Sequence, residues 1–424
     1  MQRSRQSLRK SIFPIDSCRH KIASSILNLF RVATLKDLLQ RLPGILPSFI
    51  YQPLSQIYRR LQISRLKSKR LAIDKIINQY APQRTCIIFP PSLDWDTQLF
   101  QRPQQLALAL ARQGALVFYC QPKVSRIKSP LFQICEGLYL SNIPVIAYTD
   151  IAQPYIYLLT WNCAYASVFE QPRIIYDYVD EIETFYGDHA QMTIDHVKLI
   201  QNSHLILTTA RRLFEEVAPN RPDVLLCPNG VDYEHLASAQ LSKTPPPTDL
   251  QPILDLGKPI IGYYGALARW FDYDLVKQLA LLRSEFSFVL IGPDYDGTLS
   301  PSQILDIDNI FWLGVKPYPQ IPDYLHYFDV ATIPFMINNI THAVSPLKLF
   351  EYMAGGKPVV ITPMEESMRY PGVLSAATVE EFSEKLDQAL LLSQDTQYLK
   401  RIDQVARQNT WNARARQILD ALSE

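Results

Sequence analysis

From Thr85 onward, short apolar runs rich in β-branched and aromatic residues alternate with longer stretches whose apolar positions recur at helical spacing. The runs fall at 85–90, 115–121, 155–160, 173–179, 204–208 and 223–228, then in a second series at 259–265, 287–292, 310–314, 330–335 and 357–362. Strands separated by helices in this way predict parallel sheets covered by helices. Between the two series lies Lys243-Thr-Pro-Pro-Pro-Thr-Asp-Leu-Gln-Pro252, a proline-rich connector without apolar periodicity. The pattern therefore predicts an α/β protein of two Rossmann-like, doubly wound domains facing a cleft: residues 81–240, a linker at 241–252 and residues 253–400, followed by a terminal helix at 401–424.

Residues 1–80 follow another pattern. Leu35, Leu38, Leu39 and Leu42, then Leu54, Ile57, Tyr58 and Leu61, recur at helical spacing among Arg and Lys, which predicts a basic amphipathic helical extension. Charge sharpens the contrast: this segment holds 16 Lys/Arg and 3 Asp/Glu, and the remainder 26 and 38. Such a segment suits an anionic membrane surface. The alternatives are an arm packed on the acidic body or a removable targeting peptide. Nucleic acid is set aside, because no known binding motif accompanies the charge.

At 424 residues the chain is long enough for two domains and an appendage, and 47% hydrophobic with 20% charged residues is a globular balance. No apolar run approaches the roughly 18 residues a membrane span needs. The six cysteines, scattered and free of any C-x-x-C spacing, fit buried thiols in a reducing compartment. A cytoplasmic protein peripheral to the inner face of the membrane is expected.

Ser345-Pro-Leu-Lys-Leu-Phe-Glu-Tyr-Met-Ala-Gly-Gly-Lys-Pro358 carries the strongest local signal. Ser345 reads as an N-cap, Pro346 as the first helical residue, and Gly355, Gly356 and Pro358 as the stop. Lys348 then sits in the first turn, where free N–H groups already make a positive end, so an anion is expected there. Ser345, Lys348 and Glu351 share one face; Leu347, Phe350 and Ala354 form the apolar one. A nucleotide phosphate explains Lys348, and a ribose diol explains Glu351. The competing reading is a capped helix with a surface Lys–Glu pair.

Asp94-Trp-Asp-Thr-Gln-Leu-Phe-Gln-Arg-Pro-Gln-Gln105, Tyr176-Asp-Tyr-Val-Asp-Glu181, Cys227-Pro-Asn-Gly-Val-Asp232, Gly262-Tyr-Tyr-Gly-Ala266 and the Ser345–Pro358 helix, in this order, resemble the GT-B glycosyltransferases of the group 1 type, found in bacterial capsule, teichuronic acid and exopolysaccharide synthesis. The resemblance implies that the C-terminal domain holds a nucleotide-diphosphate sugar and that the terminal helix at 401–424 returns to pack on the first domain. Gly262 and Gly265 would let backbone amides approach the diphosphate, Lys348 and Ser345 would meet its phosphates, and Glu351 the ribose. Val315 and Tyr318 would touch the base, and Asn338 and Thr341 the sugar. Ala343 stands where many retaining members carry a second glutamate, eight positions before the ribose-binding one.

In the first domain, Trp95 offers a sugar-stacking face, Asp96 lies beside it, and Arg102 offers a charge to donor or acceptor; packing and helix-end roles are the alternatives. A sugar hydroxyl is a poor nucleophile, so a carboxylate that takes its proton is expected, with Asp180 the first candidate and Asp177 the second. Both are also suited to capping the next helix. Asp94-Trp-Asp96 and Asp294-Tyr-Asp296 have a D-x-D form, yet Lys348 and a helix end already supply positive charge, so no metal or other cofactor is expected. The resulting expectation is a hexosyltransferase acting on a lipid-linked or polysaccharide acceptor in envelope glycan synthesis. A non-catalytic membrane-associated scaffold and a sugar-nucleotide epimerase are the alternatives.

Overall fold

The computed structural model describes residues 66–80, 84–122, 129–185, 187–241 and 244–423. The helices expected between Leu35 and Leu61 lie outside them. Two compact units are present: residues 1–74 with 146–148, and residues 75–145 with 149–424. Of the first, residues 67–74 begin a helix, Lys67–Tyr80.

The larger unit holds two lobes, each built on one sheet. The first contains β1 (Cys86–Phe89), β2 (Leu116–Cys120), β3 (Leu131–Cys135), β4 (Leu138–Ser141), β5 (Tyr155–Leu159), β6 (Arg173–Tyr178), β7 (Leu205–Thr208) and β8 (Leu225–Leu226), in the order β3-β4-β2-β1-β5-β6-β7-β8. Only the β3–β4 pair is antiparallel. The second contains β9 (Ile260–Tyr264), β10 (Ser287–Ile291), β11 (Ile310–Trp312), β12 (Val330–Ile333), β13 (Val359–Ile361) and β14 (Val373–Ser375), all parallel, in the order β11-β10-β9-β12-β13-β14. Strand order reverses beside β1 and beside β9, and at such switch points the helices leave opposite faces and open a crevice at the carboxyl ends of the strands.

Central strands read as unbroken apolar runs because both faces are covered: every residue of β2, β5, β9 and β10 is buried. Residues 244–252, expected as a stiff spacer, instead belong to the second lobe. Leu250 is fully buried in its core, and Asp249 accepts hydrogen bonds from Lys316 Nζ at 2.6 Å and Tyr324 Oη at 2.9 Å.

The chain crosses between the lobes twice at one place. Val231 pairs with Thr410 and exchanges backbone hydrogen bonds with Asn409 and Trp411. Gly230 permits this approach, since a Cβ there would lie 2.8 Å from the Trp411 nitrogen. The helix Thr396–Gln408 places Tyr398, Ile402 and Val405 in the second lobe's core. The helix Trp411–Ser423 places Trp411, Ala415 and Ile418 in the first lobe's core with Leu106, Ala107 and Leu110. The return to the first domain therefore begins at Thr410, later than the expected boundary at 401.

Candidate functional site

β9 ends at Tyr264, and Gly265 turns the chain with a φ of 141°, a conformation that glycine tolerates and other residues resist. A side chain at Gly265 would occupy the space taken by the end of Lys348. The helix Leu347–Ala354 starts after Pro346, which is its N-cap, so Lys348 is the second helical residue. Its ammonium lies 5.6 Å and 5.5 Å from the ring centres of Tyr263 and Phe335, within the reach of cation–π attraction, and has no hydrogen-bond partner among the described residues. Burial lowers its pKa to about 8, opposed by Glu351.

Lys348 faces a cleft of about 380 Å³ between the lobes. Gln98, Phe100 and Asp180 line it from the first lobe; Gly265, Arg269, Val315, Tyr318, Lys348 and Glu351 line it from the second. Glu351 is 4% exposed and accepts hydrogen bonds from Tyr264 Oη at 2.7 Å and Tyr318 Oη at 3.4 Å. Burial raises its pKa, partly offset by the Tyr264 hydrogen bond and the Lys348 charge. The carboxylate is thus held by two tyrosines inside the cleft, which rules out the surface Lys–Glu pair. The Tyr318 ring also stacks on Phe100 across the cleft at 5.6 Å. Asp180, just past β6, has its pKa raised to about 7 by burial, with Arg102 opposing and Asp177 and Glu181 adding to the shift.

Several expected site residues have other positions. Ser345 is no N-cap: it precedes Pro346, is 4% exposed, and its Oγ accepts from the Asn229 backbone N–H at 3.3 Å. Leu347, expected on the apolar face, lines the cleft. Gly262 lies inside β9 against the Phe328 ring, which leaves no room for a side chain, and it does not line the cleft. Asn338 and Thr341 bond each other as a capping box for the short helix Asn339–His342 instead of reaching the cleft.

In the first lobe, Trp95 packs edge-on against Phe100 and Tyr119 at 5.3 Å and 5.2 Å, which is its packing alternative. Asp96 borders an adjoining hollow with Asp94, Gln98 and Tyr295. Arg102 is 4% exposed and its guanidinium donates to both Asp177 oxygens, at 2.7 Å and 2.9 Å. Asp177, fully buried, also accepts from the Tyr157 hydroxyl. Arg102 is therefore withdrawn from substrate, and Asp177 from base duty. Asp294 accepts from the Leu299 N–H within its own loop and Asp296 from the Arg269 N–H of the segment after β9, so this D-x-D pair holds two neighbouring loops together.

Arg269 lines the cleft without having been singled out, and Gln98–Gln101, within the Asp94–Gln105 motif, lines it without an assigned role. Arg269 stands three residues beyond Gly262-Tyr-Tyr-Gly-Ala266, a lone charge in the apolar Ala266-Leu-Ala-Arg269 stretch, and that isolation was its signal. No metal-binding group of three or more His, Cys, Asp or Glu occurs among the described residues.

Residues 258–391 match the family of glycosyl transferases group 1. Over 233 residues the chain is 30% identical to TuaH of Bacillus subtilis (strain 168), a candidate teichuronic acid biosynthesis glycosyltransferase, covering 53% of this chain and 57% of the relative. The chain thus spans little more than half of that curated relative. In fold it is similar to sucrose-phosphate synthase from Thermosynechococcus elongatus, with a TM-score of 0.59 at 14% identity over 80% of this chain and 98% of the other. It is also similar to Anabaena HepE in complex with UDP-glucose, with a TM-score of 0.58 at 17% identity over 80% and 99%. A group 1 glycosyl transferase domain thus matches residues 258–391, and the paired parallel sheets have the GT-B fold.

Proposed function

We propose that this protein transfers a hexosyl group from a nucleoside-diphosphate sugar, held by the second lobe, to a hydroxyl of a lipid-linked or polysaccharide acceptor in envelope glycan synthesis. One observation carries the reading: an unpartnered lysine at a helix's positive end shares a cleft with a buried carboxylate held by two tyrosines. A diphosphate suits the lysine and a ribose diol the carboxylate. The likeness to TuaH supports the polysaccharide context, and the UDP-glucose complex of HepE supports the donor class.

In this reading Lys348 and Arg269 stabilise the charge that grows on the diphosphate as the glycosidic bond breaks, without a metal. Asp180, on the opposite wall, takes the proton of the attacking acceptor hydroxyl. Val315 and Tyr318 contact the base. The cleft between lobes excludes the water that would otherwise intercept the sugar.

A thermal-shift screen of UDP, GDP, ADP and dTDP, followed by product analysis with the matching nucleotide sugars, tests the assignment. Stabilisation by one nucleotide and release of its diphosphate with a glycosylated acceptor are expected; isomerised nucleotide sugar would instead mark an epimerase. Glu351→Ala, by removing a charged hydrogen-bond acceptor worth about 1.5–3 kcal/mol, is expected to weaken nucleotide affinity about ten- to a hundredfold. Unchanged affinity in calorimetry would remove Glu351 from the donor site.

No helix among the described residues is long and apolar enough to cross a membrane. The excess of 16 basic over 3 acidic residues in 1–80 supports peripheral attachment to anionic lipid at the inner membrane face. Deleting these residues is expected to cut sedimentation with anionic vesicles severalfold, and equal sedimentation would refute the attachment.

A further inference from the structure

We infer that Arg102, Asn229 and Ser345 form a buried positioning device that holds the base end and the phosphate end of the cleft in register. Resting on the donor site proposed above, this assigns functions to residues that touch no substrate.

The chain of bonds is continuous. Arg102 donates through Nε and Nη2 to Asp177, at the end of β6, and through Nη1 to Asn229 Oδ1 at 3.2 Å and the Pro228 carbonyl at 3.3 Å. Asn229 then grips the other lobe: its Nδ2 donates to the Ser345 carbonyl at 2.5 Å, and its backbone N–H to Ser345 Oγ. Each end stops three residues short of a cleft residue, Asp177 before Asp180 and Ser345 before Lys348. Between them the path uses Arg102 and Asn229, the latter at the first crossover, and Arg414 returns from the second crossover to the same Pro228 carbonyl at 3.0 Å.

Stability alone gives little reason for this arrangement. A buried ion pair recovers its desolvation cost poorly, and well-packed apolar replacements are often as stable. Geometry supplies the reason. A guanidinium fork fixes direction as well as distance, and an amide that both accepts and donates passes that direction across the lobe boundary. Only Pro346 and Leu347 separate Ser345 from Lys348, and only Tyr178 and Val179 separate Asp177 from Asp180, so fixing Ser345 and Asp177 restricts where Lys348 and Asp180 can lie.

The test uses the full chain and whichever of UDP, GDP, ADP and dTDP binds the wild type most tightly. Asn229→Ala cuts the path at its middle, and Arg102→Lys keeps a charge against Asp177 while losing the fork. Each is expected to raise the nucleotide Kd about tenfold, measured by calorimetry well below the melting temperature, and to raise donor KM and lower kcat together. The double variant is expected to be no worse than either single one, the signature of residues acting in series. Ser345→Ala is expected to behave alike, and Ser345→Thr, which keeps the hydroxyl, to recover wild-type affinity within twofold. A lowered melting temperature with Kd and kinetics unchanged would make the network purely structural and overturn the inference, as would additive effects in the double variant. If the wild type binds no nucleotide, the donor-site reading is what fails.

Discussion

Replacing Lys348 with alanine is expected to lower kcat/KM by about 10³-fold and to abolish measurable binding of the free nucleotide. The ammonium has no hydrogen-bond partner among the described residues, so a bound diphosphate would be its close counter-ion, and a positioned cation in a site shielded from water acts on both binding and bond breaking. Lys348→Arg is expected to recover little, because Gly265 leaves space shaped to a thin lysine end and a planar fork does not fit it. Retained affinity in Lys348→Ala would show that the donor binds elsewhere.

Asp180→Asn is expected to reduce transfer by about 10²- to 10⁴-fold while nucleotide affinity stays within twofold of wild type. The asparagine keeps shape and loses basicity, so the two lobes' roles separate in one experiment. The pH profile follows from the same residues. A base whose pKa lies at about 7 must be ionised, so kcat/KM rises with pH through about 7. A cation whose pKa lies at about 8 in the free protein must be protonated to meet the diphosphate, so kcat/KM falls again above about 8. A bound diphosphate favours the charged lysine, and the upper limb is therefore expected to move to higher pH in kcat. Loss of the acidic limb in the residual activity of Asp180→Asn would confirm the assignment, and its persistence would transfer the role to another group.

Strands buried on both faces are legible because apolar residues dominate there: the run at 287–292 became β10, 287–291, with Ser287 its one polar residue. β3 escaped because it is an edge strand with two exposed residues, β14 because its three residues are half-buried, and β4, though buried throughout, because its run of four residues is too short to stand out. In the site, Lys348 and Glu351 follow from spacing along one helix. Arg102 and Asp177 do not: 75 residues separate them, and a charge in a cleft loop is written like one buried across a sheet. Asn338 and Thr341 were readable as a capping box, since their spacing alone satisfies both side chains locally.

The return of Trp411–Ser423 to the first lobe has a consequence for how the molecule comes into being. A nascent chain emerges from the ribosome amino end first, yet the first lobe cannot close its core until the helix Trp411–Ser423, translated after the second lobe, arrives to cover Leu106 and Leu110. Its partner lobe, complete by Gln408, must mature in the interval while that apolar seam stands open to chaperones.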